Sequence, residues 1–202
     1  TGWWLYLKGQ VETALDTGAA DMRAQGYQIS WGSRAVSGYP FRILVRLEAV
    51  NIDEPTGYGV SATVLEAEAA AYTANPIVFA APEGLNVRRP GNKGFVVRGK
   101  TLRASVSHLD RTPPRLSVEG VDLQFTPLKD KAPLSFSAMK RMEFHLRPGA
   151  ADDAEVFLRL QDATPANNAL LTRVADGKPV TLGFEGKVTG ASFLRGSGWR
   201  EV

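Results

Sequence analysis

The first 26 residues place apolar side chains at helical spacing. The apolar stripe consists of Leu7, Val11, Leu15, Gly18 and Met22. Intervals of three and four residues bring these positions to one side of an α-helix, and Lys8 and Glu12 fall outside the stripe. Gly26 suits a C-terminal cap. The pattern therefore predicts an amphipathic helix of about 23 residues, roughly 35 Å long, within residues 1–26.

After Gly26 the apolar spacing changes from helical to alternating. Tyr27, Ile29 and Trp31 share one face of a predicted strand. The glycine and proline within residues 37–40 predict a turn, and a second strand follows it. The alternating apolar residues of this second strand are Phe41, Ile43, Val45 and Leu47. The helix is therefore followed by a predicted hairpin.

Seven later segments are also predicted to be strands, because most are bounded by Gly, Pro, Asn or Asp. They span residues 60–72, 77–81, 95–108, 116–125, 134–146, 155–160 and 180–193. The clearest alternation lies in 134–146, which would extend about 40 Å as a strand. Residues 163–176 fit either a short helix or a loop.

Together these elements predict a mostly β (α+β) fold. The long N-terminal amphipathic helix would pack on a curved, largely antiparallel β-sheet or half-open barrel. One-sided apolar strands need such a partner, because their apolar face must be shielded from water. Residues 27–202 are predicted to form a single sheet domain.

Composition excludes several classes of protein. The 202 residues are 44% hydrophobic and 22% charged, with no long uncharged run, so the chain should fold in water. The absence of cysteine excludes a disulfide framework and a thiolate metal site. The 24 basic and 21 acidic residues are intermixed, with a net charge of +3. This argues against nucleic-acid binding and is compatible with weak attraction to anionic lipid.

The chain begins with aromatic residues and lacks a start methionine. Trp3, Trp4 and Tyr6 precede Lys8, and Trp and Tyr gather where a transmembrane helix meets lipid headgroups. The start therefore predicts an N-terminal inner-membrane anchor, removed from this chain, and a periplasmic location. The alternative that Trp3 and Trp4 are core residues of an ordinary helix stays open.

The sequence contains no convincing catalytic or metal motif. Ser137 and Lys140 match the S-x-x-K pattern, but that chemistry needs a helix and the surrounding alternation predicts a strand. Ser107, His108 and Asp110 lie close in sequence without a nucleophile elbow. Two histidines do not by themselves make a specific metal site. We therefore predict a protein that is not an enzyme and has no cofactor or metal.

Several segments carry a resemblance to a known family. They are residues 2–6, 9–12, 25–32 and 37–42, of which S-G-Y-P-F-R at 37–42 is the most specific. Residues 65–69, 78–82 and 143–148 fit more loosely. The chain resembles an uncharacterised alphaproteobacterial cell-envelope family, domain of unknown function 2125. The resemblance implies an inner-membrane anchor, a periplasmic β-rich body and a further C-terminal portion beyond residues 198–202, and it supplies no catalytic residues.

Two functions are compatible with these expectations. The first is a periplasmic lipid-binding or lipid-transfer protein that holds the acyl chains of a membrane lipid between sheet and helix, by analogy with envelope lipid carriers. The predicted groove lining is Phe41, Ile43, Val45, Leu47, Leu134, Phe136, Met142, Phe144, Val156, Leu158 and Leu160. An elongated pocket would include Phe136, Met142 and Phe144, with basic side chains near one mouth for an anionic headgroup.

An ordinary closed core against the helix stripe would explain the same residues. The second function is a non-enzymatic envelope assembly scaffold that binds a protein partner. In that case the helix fills the apolar face, and strand edges or loops make the contact.

Overall fold

The computed structural model describes residues 2–73, 75–91, 93–111, 113–128, 134–150, 153–166 and 169–190. The helices in these ranges are α1 (Gly2–Ala24) and α2 (Ala169–Ala175). The strands are β1 (Gln28–Ser30), β2 (Ser33–Ser37), β3 (Arg42–Asp53), β4 (Gly59–Ala70), β5 (Ile77–Ala80), β6 (Leu85–Arg89), β7 (Lys93–Arg98), β8 (Thr101–Ser107), β9 (Arg115–Pro127), β10 (Phe136–Pro148), β11 (Ala154–Pro165) and β12 (Val180–Val188). The predicted mostly β fold with an N-terminal helix is confirmed.

All twelve strands belong to one antiparallel sheet that follows the chain as a meander. Three positions in the sheet are filled by two short strands instead of one long strand. Strands β1 and β2 both pair with β3, β5 and β6 both pair with β4, and β7 and β8 both pair with β9. Strand β5 also pairs with β8, and β6 also pairs with β7. The pairings among β4, β5, β6, β7, β8 and β9 therefore form a closed ring. The sheet therefore has nine positions from one edge to the other.

Helix α1 forms where the helical spacing predicts it. It ends with Gly26 at a φ of 91°, a conformation that glycine adopts without a steric penalty. The Tyr27 N–H donates to the Met22 carbonyl at 3.1 Å, which closes the last turn. Leu7, Val11 and Leu15 pack into the core as predicted. Gly18 is exposed, however, and the adjacent Ala19 is buried in its place.

The axis of α1 runs along the strands and not across them. Near its C-terminus, Arg23 Nη2 donates to the Ile29 carbonyl at 2.8 Å. In its middle, Asp16 Oδ1 accepts from Arg34 Nη1 at 2.6 Å. Near its N-terminus, Trp4 meets Tyr39 edge to face. These contacts follow β1 and β2 from end to end, so α1 covers one margin of the sheet.

Each predicted strand segment contains an observed strand, but the prediction missed β2 and β6. It also joined β7 and β8, which are separate because the chain turns a corner at Gly99 and Lys100. The open alternative at 163–176 resolves into the end of β11 followed by α2. Residues 191–193 of the last predicted strand lie outside the described residues.

The strict alternation predicted for 134–146 is wrong at two neighbouring positions. The pattern predicts that Lys140 shares the apolar face, but it is exposed. The pattern also predicts Met139 on the polar face, two residues from Ser137, but it is 5% exposed and packs in the same cluster as Phe136 and Met142. The pairing of β10 with β11 shifts register between Phe136 and Ala138, and Asp162 in β11 has a φ of 49°. Such bulges change which side chains face the core. The predicted alternation holds from Met142 to Leu146.

Two strand glycines give a test of this packing. An added Cβ at Gly120 would lie 2.6 Å from Leu123 Cδ1, and Leu123 is 1% exposed and cannot move aside. We expect Gly120→Ala to lower the free energy of unfolding by about 1 to 3 kcal/mol, because it overpacks the core. Urea denaturation measures this change.

The matched control is Gly183→Ala in β12, where no heavy atom lies within 4 Å of the added Cβ. Its effect should stay within about 0.5 kcal/mol. Equal losses at both glycines would contradict the packing described around Leu123.

Candidate functional site

A continuous row of apolar side chains crosses the whole sheet. Residues paired in register on antiparallel strands point to the same face. Taken from the α1 margin to the far edge, the row is Val36, Val45, Ala67, Phe79, Ala104, Val118, Phe144, Leu158 and Phe184. We call these nine residues the apolar row. Every one of the nine sheet positions contributes one apolar residue to it.

The neighbouring registers on the same face are also apolar from β8 onwards. One side of the row carries Val106, Leu116, Leu146, Val156 and Gly186. The other side carries Leu102, Gly120, Met142, Leu160 and Leu182. The apolar row is therefore the centre line of a broad apolar band.

The helix covers only the first three positions of the apolar row. Val36 and Val45 belong to the core cluster under α1, and Ala67 packs against it. A helix is about 10 to 12 Å wide, whereas strands lie about 4.8 Å apart. A helix that runs along the strands therefore covers two or three of them. Nine positions span about 38 Å, so most of the row extends beyond α1.

The remaining six residues of the row belong to neither of the two described core clusters. We call Phe79, Ala104, Val118, Phe144, Leu158 and Phe184 the open segment. The first five are half-buried, and Phe184 at the far edge is 60% exposed. The exposure of the row thus rises from 9% at Val36 to 60% at Phe184. A small depression of about 110 Å³ includes Phe79, Ala104 and Val118 in its lining.

The structure distributes the predicted groove residues over different environments. Ile43, Val45 and Leu47 pack under α1. Phe136, Met142 and Leu160 pack in the second core cluster around Leu123. Leu134 is buried, and Phe41 is 67% exposed next to the β2–β3 turn. Phe144, Val156 and Leu158 are the predicted residues that stay half-buried outside both clusters.

Sequence reasoning missed four residues of the open segment, namely Phe79, Ala104, Val118 and Phe184. All four lie in predicted strands, so the alternation contained the necessary signal. Their register with Phe144 and Leu158 depends on how distant strands pair, and a single strand's pattern does not specify that pairing.

The opposite face of the sheet carries a chain of ion pairs. Glu119 accepts from Arg103 Nε at 2.7 Å and from Arg141 Nη2 at 2.6 Å. Arg141 also pairs with Glu143 at 3.2 Å. The ring of His145 lies 3.0 Å from the Ser117 hydroxyl and stacks on Phe157. These side chains are held mainly by one another and keep this face polar.

Among the larger described depressions, one of about 400 Å³ lies beside Asp53 and Arg88. Two others are lined mainly by the charged face, and one of these also reaches Ala104 and Val118 of the apolar row. These two have volumes of about 720 Å³ and about 400 Å³, and they share Glu143 and His145. The first contains three acidic and three basic side chains, namely Glu143, Glu155, Glu185, Arg147, Arg159 and Lys187. The charges of these six side chains balance, so they give the depression no net positive charge for an anionic headgroup.

A separate polar cluster joins β3, β4 and β6. Arg88 donates to Asn51 Oδ1 at 2.6 Å and to the Ser61 hydroxyl at 3.0 Å. Burial would raise the pKa of Asp53, but hydrogen bonds from Asn51 and Arg88, together with the charge of Arg88, outweigh it and lower that pKa. Gly59 is needed there, because a Cβ would lie against Asp53 and Arg88. These polar groups hydrogen-bond with one another and tie β3, β4 and β6 together.

The residues of the candidate catalytic patterns lie on separate elements. Ser137 and Lys140 lie on strand β10, as the alternation predicts. His108 Nδ1 lies 3.3 Å from the Ser107 hydroxyl in an exposed turn. Within the described ranges, no three His, Asp or Glu side chains are grouped so as to hold a metal ion. None of the described helices has the length and apolar character needed to cross a bilayer.

Comparison with known proteins identifies a family but no characterised relative. The family model described as "Uncharacterized protein conserved in bacteria (DUF2125)" matches residues 4–202. No curated protein and no solved structure matches the chain. The functional argument therefore rests on the geometry of the apolar band.

Shortening one apolar side chain under α1 and one at the far edge of the sheet tests whether the two regions are covered unequally. We expect Ile43→Ala, under α1, to lower the free energy of unfolding by about 2 to 5 kcal/mol, because it leaves a void in a closed core. Phe184→Ala should cost less than about 1 kcal/mol, since water already reaches this ring. Urea denaturation of both variants measures the difference, and an equal loss at Phe184 would show that the far edge is closed.

Proposed function

Since the chain belongs to the family of uncharacterized proteins conserved in bacteria (DUF2125), whose description states no activity, we propose a function from its geometry. The chain binds the acyl chains of a membrane lipid on the open segment of the apolar row, and it carries or presents that lipid without catalysing a reaction. We place this activity in the periplasm of the full-length protein, next to the inner membrane.

The observation that carries the proposal is the uncovered part of the apolar band. From Ala104 to Phe184 the row crosses five sheet positions, about 19 Å, without belonging to a closed core. This distance is comparable to that of a long acyl chain. Large contiguous apolar surfaces on a soluble domain mark binding sites for apolar ligands or partners.

An acyl chain suits this surface better than a compact polar ligand does. Each buried methylene group contributes about 0.8 kcal/mol, so a chain laid along the row gains affinity along its whole length. Phe144, Leu158 and Phe184 pair across β10, β11 and β12 and offer a surface without a charged side chain. The proposed site therefore differs from the predicted groove: its lining is the open segment, and α1 forms one boundary instead of a wall along its length.

A second candidate is the assembly scaffold, and β12 is the observation that favours it. Within the described residues β12 pairs only with β11, so its other backbone edge is available to an added strand. Leu182 and Phe184 are exposed on this strand. A protein partner could add a strand there and cover both side chains.

Titration with a fluorescent fatty acid tests the lipid proposal. We expect the wild-type chain to bind it and Phe184→Asp to weaken binding at least about tenfold, because a carboxylate would be desolvated beside the acyl chain. Phe184 is 60% exposed, so this variant should remain folded. Circular dichroism checks that it does.

The matched control is Tyr58→Asp, since Tyr58 is 52% exposed in the β3–β4 turn, away from the apolar row. Its affinity for the fatty acid should equal that of the wild type. Native mass spectrometry of the purified chain would show whether lipid is retained. If the wild-type chain binds no fatty acid and retains no lipid, the lipid proposal is wrong and the scaffold becomes the better account.

A further inference from the structure

Exposed aromatic residues gather at one end of the sheet. In an antiparallel meander, every second turn lies at the same end of the strands. One end of the strands brings together the N-terminus of α1, the β2–β3 turn and the β4–β5 turn. Together these segments contribute Trp3, Trp4, Tyr6, Tyr39, Phe41 and Tyr72. We call these six residues the aromatic platform.

Ring contacts hold the platform together across distant parts of the sequence. Trp3 stacks on Tyr72, with ring centroids 5.3 Å apart and an interplanar angle of 10°. Trp4 meets Tyr39 edge to face at 5.9 Å. These pairs tie the first turn of α1 to two turns of the sheet. These four rings are therefore positioned by contacts between α1 and the sheet.

Most platform rings remain accessible to solvent despite these contacts. Trp3 is 50% exposed, Tyr6 65%, Tyr39 58%, Phe41 67% and Tyr72 69%. Only two other aromatic residues appear among the exposed large hydrophobic residues of the described chain, Tyr58 and Phe184, and they lie apart from the platform. Exposed aromatic area is thus concentrated at one end of the molecule.

The composition of the platform points to a lipid–water interface. Five of its six residues are Trp or Tyr, and each of these has an apolar body and one polar group that retains water. Residues 2–7, 38–41 and 71–73 contain no charged side chain. The charged residues that directly follow the first two segments are both basic, Lys8 and Arg42. Lys8 lies 3.9 Å from Glu12 and Arg42 lies 3.0 Å from Glu68. Because such exposed ion pairs contribute little free energy, these cations can exchange their partners for bilayer phosphate groups.

We propose that the aromatic platform docks on the headgroup region of a phospholipid bilayer. Tyr39, Phe41 and Tyr72 enter the interface beside Trp3 and Trp4, so the folded domain itself contacts the membrane. This contact goes beyond lipid binding on the apolar row and uses a different surface. It fixes which end of the sheet faces the bilayer.

Cosedimentation with vesicles of phosphatidylcholine and a minor fraction of phosphatidylglycerol tests this proposal. We expect the 202-residue chain to bind, and Phe41→Ser combined with Tyr72→Ser to lower its partition coefficient at least about tenfold. The control combines Tyr58→Ser with Val174→Ser, which removes two exposed side chains that lie outside both the platform and the apolar row. The control should bind vesicles like the wild type.

Several outcomes would overturn the proposal. They are a wild-type chain that does not cosediment, equal losses in the two double variants, and self-association without vesicles that the platform variant abolishes. The last result would assign the platform to a second copy of the chain. Binding of monomeric fluorescent fatty acid should be unchanged in the platform variant, so failure of this proposal and failure of lipid binding on the apolar row are distinguishable.

Discussion

The structure depends on the difference between the width of one helix and the width of the sheet. In-register pairing aligns apolar side chains on all nine sheet positions, from Val36 to Phe184. Helix α1 runs along the strands and shields the first three positions. A helix covers about 10 to 12 Å, and the sheet is several times wider. The apolar row is therefore closed at the α1 margin and exposed at Phe184, while Met142 and Leu160 beside it pack in the second core cluster.

This constraint separates the apolar residues into structural and functional groups. The clusters under α1 and around Leu123 exclude water and account for the stability of the two closed regions. The open segment has the same chemistry but lacks a covering element among the described residues. An apolar surface that stays uncovered suits a ligand that is itself apolar. The charged face, with its internally paired side chains, supplies solubility on the other side of the sheet.

The sequence predicts the helices and strands better than it predicts which apolar side chains other elements cover. Helical spacing located α1 because its stripe is long, and alternation located strands with several apolar residues. Strand β6 is hard to predict because it is five residues long and has only two apolar residues, Leu85 and Val87. Met139 departs from the alternation because of a nearby bulge. Phe136 and Phe144 follow the same pattern in one strand, yet only Phe136 joins a core cluster. That difference arises from which distant residues pack on each ring, and local periodicity does not contain it.

The most direct test of unequal coverage measures the access of solvent to methyl groups along the apolar row. In methyl-labelled chain, relaxation enhancement by a soluble nitroxide can be compared at Val45, Val118 and Leu158 by nuclear magnetic resonance. Our account predicts a small effect at Val45 and larger effects at the other two, which a bound fatty acid then reduces. Equal protection of all three methyl groups without ligand would contradict an open segment, and unchanged access at Leu158 with fatty acid present would contradict its role in binding.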